Sequence, residues 1–390
     1  MIIFGYDNFP SFDSGTDVDS FDLDNINNNA FSPLHSINTI SIVNALKIEN
    51  MNINMIDSKY FYPIEVDSHN FWENDSYKNP NINTIVLDDI KKGKCKILLL
   101  FSSEWVEGSK RVSGLLNIWI TRFNLPYNSI VLIGGSPEYE KELKNHRYIK
   151  YIPFSIWEYW SHTSFSYDID LNGFKDAIIN RKNRKKIFLS YNRRLKYHRW
   201  KLATDLHKND LLKFGLISLS DMDIESDKIN TEDSNDPILN MLPISIDNID
   251  LYNEFMPLVK KHFLDTYISI ITESTYDKGS IFLTEKTTKS IFALHPFFIV
   301  ASPGYLEYLR SIGYMTFSTW FNESYDLENN IDIRIGKIVN QIKELVKIPE
   351  HELQSILVDM LPTLIHNKIN LKMRGNDKSL RTKLKKELNK

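Results

Sequence analysis

The 390-residue sequence contains a single cysteine, Cys95, which excludes an internal disulfide and a zinc site built on several thiolates; a reducing cytoplasm is the expected compartment. No run of about 18 apolar residues occurs, and Met1 to Asp7 lacks the basic start and long apolar stretch of a leader, so neither membrane insertion nor secretion is expected. Only 14 glycines are present, and neither G-x-G-x-x-G nor the P-loop pattern appears, so phosphate recognition must come from side chains or helix ends. Charge of one sign is also missing. The formal net charge of -3 offers no whole-protein attraction for nucleic acid, and any charge argument has to be local.

What is present is the composition of a globular protein, with 42% hydrophobic and 25% charged residues. Two domains are expected at this length. Residues 5 to 80 have weak periodicity and read as short strands in long loops. Beyond them an apolar run at Cys95 to Phe101, a helical pattern through Leu115, Leu116, Trp119 and Ile120, a second run at Ser129 to Ile133 and a third at Tyr148 to Phe154 alternate as parallel βαβ units do. A second alternating series follows the strand Ile187 to Tyr191 and the helix Tyr197 to Leu212. It comprises strand Tyr267 to Thr272, helix Thr284 to Leu294, strand Pro296 to Ala301, helix Pro303 to Ile312 and strand Tyr314 to Phe317. Two amphipathic stretches, 331–346 and 349–369, precede a basic end. The resulting expectation is α/β, with two Rossmann-like domains facing a cleft. The first spans 1–180 on the acceptor side, the second spans 181–370, and a basic tail occupies 371–390.

Two groups of residues stand at strand-to-helix turns. From Arg181 to Lys201 there are ten Lys or Arg and no acid. Within this stretch Arg193, Arg194 and Lys196 follow a strand, where the edge of a parallel sheet binds ligands and where guanidinium forks grip phosphate oxygens. A solvated basic linker is the competing reading for Arg181 to Lys186. The second group is Glu273, then Thr284-Glu285-Lys286-Thr287-Thr288-Lys289. Thr284 suits an N-cap, and a carboxylate in the first turn can accept ribose hydroxyls while the next ammonium neutralises a diphosphate. Glu285 also complements a helix dipole and can pair with Lys289, a purely structural role.

The blocks S-Y-N-R-R-x-x-x-H-R, I-T-E-S-T-x-D, F-L-T-E-K-T-x-K-S-I-F-A-L-H-P-F and P-G-Y-L-x-x-L-x-x-x-G-Y-x-T-F occur in that order. Over about residues 185 to 345 they resemble the donor domain of GT-B-type glycosyltransferases. The similarity is to the fucosyltransferase and exostosin-like groups, and more closely to glycosyltransferase-like proteins of bacteriophages and large DNA viruses. The resemblance implies sugar transfer from a nucleoside diphosphate sugar as co-substrate. It places Glu285 on the donor ribose, Lys286 near the diphosphate, Arg193 on a phosphate and Glu273 close to the sugar or ribose. Ala293 to Phe297 depart from the fucosyltransferase pattern, which has a glycine-containing turn there. If the reaction inverts the sugar, Glu104 is the expected base, with Glu107, Asp7 and Asp13 as alternatives. The acceptor stays open among a glycan, a protein and a hydroxylated DNA base, and a viral chain would act in the host cytoplasm.

Other residues weigh less. His198 and His207 lie nine apart, half a turn out of phase on a helix, so they are not a metal pair. Asp221 and Asp223 spell D-x-D within an acidic loop, and no metal site is assigned. His295 reads as a turn residue, Trp105, Trp157, Trp160 and Trp320 as core residues with stacking on a sugar or base as the alternative, and Gly134-Gly135-Ser136 as a β-to-α turn or an acceptor edge. Asn322 to Asp326 reads as a loop over the donor cleft. A binding or virion-associated protein that keeps the fold without transfer activity, and a nucleotide-binding enzyme of another class, are the competing functions.

Overall fold

The computed structural model describes residues 2–6, 49–65, 82–100, 109–155, 157–159, 161, 171–180, 184–230, 235–247, 258–277 and 281–390. The chain divides into two compact units, one of residues 1–156 with 376–390 and the other of residues 157–375.

In the first unit, β1 (Ile3–Tyr6), β2 (Glu49–Asn52), β3 (Tyr60–Glu65), β4 (Cys95–Leu100), β5 (Ile130–Gly134) and β6 (Ile149–Pro153) form a parallel sheet in the order β2-β1-β3-β4-β5-β6. Parallel neighbours need long crossovers, supplied here by helices Thr84–Lys91, Ser109–Phe123 and Pro137–Leu143. β4 and β5 read as unbroken apolar runs because both of their faces are covered. Ile97, Leu99, Ile130 and Leu132 pack with Trp119 and Tyr60, and the alternate residues Leu98, Val131 and Ile133 are also buried.

In the second unit, β7 (Lys186–Tyr191), β8 (Gly215–Ser218), β9 (Thr266–Thr272) and β10 (Phe297–Val300) are parallel in the order β10-β9-β7-β8. The chain leaves β7 to one side to make β8 and returns on the other side to make β9. The strand order therefore reverses between β7 and β9, and their carboxyl ends flank the crevice where open α/β sheets bind ligands. β8 has no counterpart in the sequence pattern. It is four residues long and starts at Gly215, where a Cβ would come within 2.2 Å of the Phe188 ring, so only glycine lets it lie beside β7.

Three boundaries differ from expectation. The division falls after Ile156, ahead of the change in composition, because Phe174 and Ile178 of helix Leu171–Asn180 belong to the second unit's core. There the Gln354 side-chain amide donates to the Ile178 carbonyl. Residues 377–388 form a helix that clusters with the first unit, burying Leu380, Leu384 and Leu388 at a spacing of four. The segment Tyr314 to Phe317 is not part of a strand. The Asn367 side chain takes its backbone instead, accepting from Met315 N–H at 2.7 Å and donating to its carbonyl at 2.8 Å.

Candidate functional site

The carboxyl ends of β8, β7 and β9 are joined by a buried polar ladder. Asn192 donates its backbone N–H to the Ser218 carbonyl (3.0 Å), its side-chain amide donates to Ser190 (3.1 Å), and its Oδ1 accepts from Thr272 (2.6 Å). Polar groups buried this completely hold position only when paired, and the pairing here crosses three strands. Arg199, 3% exposed, donates to the Arg194 carbonyl at 3.2 Å and lies 3.5 Å from the Thr272 carbonyl, so it ties together the loops that leave β7 and β9. Arg334, 1% exposed, does the same for the loops after β9 and β10, donating to the carbonyls of Tyr276, Ala301 and Glu328.

Glu273 follows β9 directly and is 1% exposed. One carboxylate oxygen accepts from Thr284 Oγ1 at 2.5 Å; the other accepts from Thr287 Oγ1 at 2.6 Å and Tyr305 Oη at 3.0 Å. Its N–H donates to the Val300 carbonyl and its own carbonyl lies 2.9 Å from His198 Nε2. Burial pushes the carboxyl up, against Lys286 and the two threonine hydroxyls, which favour the charged form. Glu273 thereby fastens the loop after β9 to helices Glu285–Phe292 and Tyr305–Ser311. His198, fully buried, stacks on Tyr276 at 4.3 Å, and burial together with Arg199 keeps it neutral.

Helix Glu285–Phe292 begins where the sequence places it. Thr284 is the N-cap, and its Oγ1 accepts from Lys286 N–H at 3.2 Å. Lys286 Nζ stands 3.3 Å from both Ser274 Oγ and Thr284 Oγ1 and 3.1 Å from Glu285 Oε1. Lys196, from the loop after β7, reaches the Ser274 carbonyl at 3.1 Å. Two ammonium groups from different crossovers thus converge on Ser274 at a helix amino terminus, where the helix dipole also favours an anion. Burial would raise the Glu285 carboxyl, but Lys286 and Lys289 hold it below its ordinary range. Its Oε2 is buried with no hydrogen-bond partner among the described residues. Lys289, one turn on and 6% exposed, has its ammonium pushed down to about 8, by burial first, with Glu285 opposing and Lys286 adding to the shift.

No protein-family model and no curated protein sequence matches the chain. Among solved structures it is similar to an α1,3-fucosyltransferase at 12% identity, with 90% of this chain and 84% of that one covered and a TM-score of 0.42. An α1,3-fucosyltransferase holding GDP-fucose is similar at 13% identity, 84% and 81% coverage and a TM-score of 0.36. An α,α-trehalose 6-phosphate synthase from Burkholderia multivorans is similar at 10% identity, 86% and 71% coverage and a TM-score of 0.43. Likenesses this distant carry no residue roles across.

Lys196, Glu273, Glu285, Lys286 and Lys289 come together. Arg194 turns to the acidic loop, where Nε meets Asp223 at 3.0 Å, and the Arg193 carbonyl accepts from Ser220 Oγ. Glu104 and its alternatives Glu107, Asp7 and Asp13 lie outside the described residues, as do Trp105 and Trp160. Trp157 is buried, and Trp320 Nε1 donates to Asp359 at 3.0 Å. The Gly134 to Ser136 turn is filled by the Tyr151 hydroxyl, 2.7 Å from the Gly134 carbonyl. In the Asn322 to Asp326 segment, Asp326 caps helix Tyr305–Ser311 by accepting from Leu306 N–H at 3.0 Å. Among the described residues no group of three or more His, Cys, Asp or Glu is placed to hold a metal ion, and no helix is long and apolar enough to cross a membrane. Ser274, Thr287 and Tyr305 were not singled out by sequence reasoning. All three lie inside the quoted blocks, but hydroxyls at those positions carry no distinguishing signal.

Proposed function

We propose that the chain is a glycosyltransferase that uses a nucleoside diphosphate sugar, with the donor bound at the carboxyl edge of the second sheet. The observation that carries this reading is the convergence of Lys196 and Lys286 on Ser274 at a helix amino terminus, with Glu285 Oε2 beside it lacking a hydrogen-bond partner among the described residues. A nucleoside diphosphate offers those two chemistries side by side, an anionic diphosphate and a ribose whose hydroxyls donate. Arg193, on the loop after β7, is proposed to reach a donor phosphate, while Arg194 is held by Asp223. Glu273, with all of its surroundings already hydroxyl-bonded, is a positioning residue that sets the Thr284 cap; Lys289 holds Glu285 ionised.

In the reaction an acceptor hydroxyl oxygen bonds to the anomeric carbon while the bond from that carbon to the diphosphate oxygen breaks. Negative charge grows on the departing diphosphate, so ammonium groups fixed beforehand bind the transition state more tightly than the ground state. The hydroxyl proton passes to a general base, for which Glu104 is proposed. The acceptor class is not specified by these residues.

The test is thermal unfolding against a panel of nucleoside diphosphates and their sugars, with Lys286→Ala alongside. A ligand at 100 times its Kd adds about 2.7 kcal/mol of stability. The expected result is a rise in Tm with one nucleotide that is lost in Lys286→Ala. A folded protein that shifts with none of them sinks the reading.

A further inference from the structure

The opposite edge of the first unit's sheet carries cations that the donor site does not use. All strands of a parallel sheet enter at one edge, so the residues that precede β3, β4, β5 and β6 stand in a row at about 4.8 Å spacing. The backbone ladder shows the adjacency: Tyr60 N–H donates to the Lys94 carbonyl at 3.0 Å, and Asn128 N–H to the Arg147 carbonyl at 3.1 Å. Lys59, Lys92 and Arg147 are exposed along this row. Between them Tyr127 is 60% exposed, its ring 4.8 Å from that of Tyr148.

Helix Asp377–Leu388 extends the row. Its apolar stripe is buried, while Lys378, Lys383, Lys385 and Lys386 are exposed. Lys96, the second residue of β4, interacts through space with Glu387, Lys59 and Lys390, which sets the helix's carboxyl-terminal end at the same edge. Two nearby acids are already consumed: Glu387 is buried and paired with Lys390 at 2.8 Å, and Asp89 is buried, 3.0 Å from the Tyr60 hydroxyl and 3.5 Å from Lys94. Asp57 and Asp88 are exposed in the segments that lead into β3 and β4.

Helix ends account for part of this charge. Lys91 and Arg122 sit in last turns, where a cation complements the dipole. Lys59 and Arg147 belong to no helix, and Lys378 lies in a first turn, where the dipole opposes a cation. The exposure of Lys59, Lys92 and Arg147 along one row, with an aromatic ring between Lys92 and Arg147, is the pattern of a surface that tracks phosphates and stacks a base.

We propose that this edge and the terminal helix bind a single strand of nucleic acid through its phosphodiester backbone, with Tyr127 as a stacking platform. The proposal is independent of the donor-site reading: it holds the protein on a polymer and takes no part in sugar transfer.

Fluorescence anisotropy with a labelled 30-nucleotide oligo(dT), at 50 and 200 mM salt, tests it on the full chain. Binding should weaken with salt, and the triple variant Lys383→Gln, Lys385→Gln, Lys386→Gln should reduce the log–log salt slope by about 2, since each phosphate contact on a single strand contributes about 0.7. Tyr127→Ala should weaken binding about tenfold without changing that slope. Lys59→Gln with Arg147→Gln, outside any helix, should also lose affinity, and urea midpoints confirm that each variant folds. Absence of binding at 50 mM salt, an unchanged slope in the triple variant, unchanged affinity in the double variant, or binding to vesicles containing phosphatidylserine without binding to oligo(dT) overturns the proposal.

Discussion

His295 should make the protein lose stability in mild acid. Its ring is 3% exposed, between helix Glu285–Phe292 and β10. Nε2 lies 3.0 Å from the Thr266 carbonyl, which can only accept, so Nε2 carries the proton. Nδ1, 2.7 Å from Ser269 Oγ, then accepts, and Ser269 Oγ in turn accepts from Ser290 Oγ at 3.1 Å. A second ring proton would aim a donor at a hydroxyl already donating toward it and reverse that chain. Burial lowers the pKa from 6.5 to about 3; the Thr266 carbonyl opposes this and Arg184 adds to it. Because the folded value lies below the unfolded one, the unfolded chain takes up the proton first. The stabilisation is complete above pH 6.5 and is lost as pH falls toward 3. The slope is about 1.4 kcal/mol per pH unit, or about 2 kcal/mol by pH 5. Urea unfolding of wild type and His295→Gln from pH 7.5 to 5 measures it. The variant should be less stable at neutral pH, and the gap should narrow by about 2 kcal/mol at pH 5. Parallel curves would refute the argument.

Lys289 gives the converse at alkaline pH. Its folded value of about 8 lies below the ordinary 10.5, so the cost of the buried ammonium is complete below 8 and fades as pH rises. Wild type should therefore gain about 2 kcal/mol on Lys289→Met between pH 8 and 9.5, read by urea unfolding; no change in the gap means that Lys289 is not desolvated as described. Leu294 occupies the left-handed region at φ 52° and is 3% exposed. Leu294→Gly relieves about 1 kcal/mol of backbone strain but forfeits about 2–5 kcal/mol of packing, so a lower Tm is expected, and a Tm that holds or rises would show the side chain to be dispensable.

The amino-acid sequence by itself determined the parallel α/β class, most strands of the second unit and the start of helix Glu285–Phe292. Apolar runs bounded by turn residues, and a threonine N-cap followed by an acid, are local signals that survive without a fold. It also marked Lys196, Glu285 and Lys286, because strand-to-helix turns are where a sheet edge presents its side chains. Only the tertiary structure decided which of the marked residues meet. The order β10-β9-β7-β8 sets the loop after β7 beside the loop after β9, which brings Lys196 to Ser274 although the two are 78 residues apart. The same order made Glu273 the hub of three hydroxyls drawn from two later helices, and it left Arg194 to Asp223. Leu380, Leu384 and Leu388 needed an apolar surface to cover before the basic end could become a helix of the first unit. Tyr314 to Phe317 has a strand's composition, but the Asn367 side chain takes the backbone at Met315. Contacts of this kind depend on which elements are neighbours, and that is set by strand order and crossover direction across the whole sheet, not by the residues nearby in sequence.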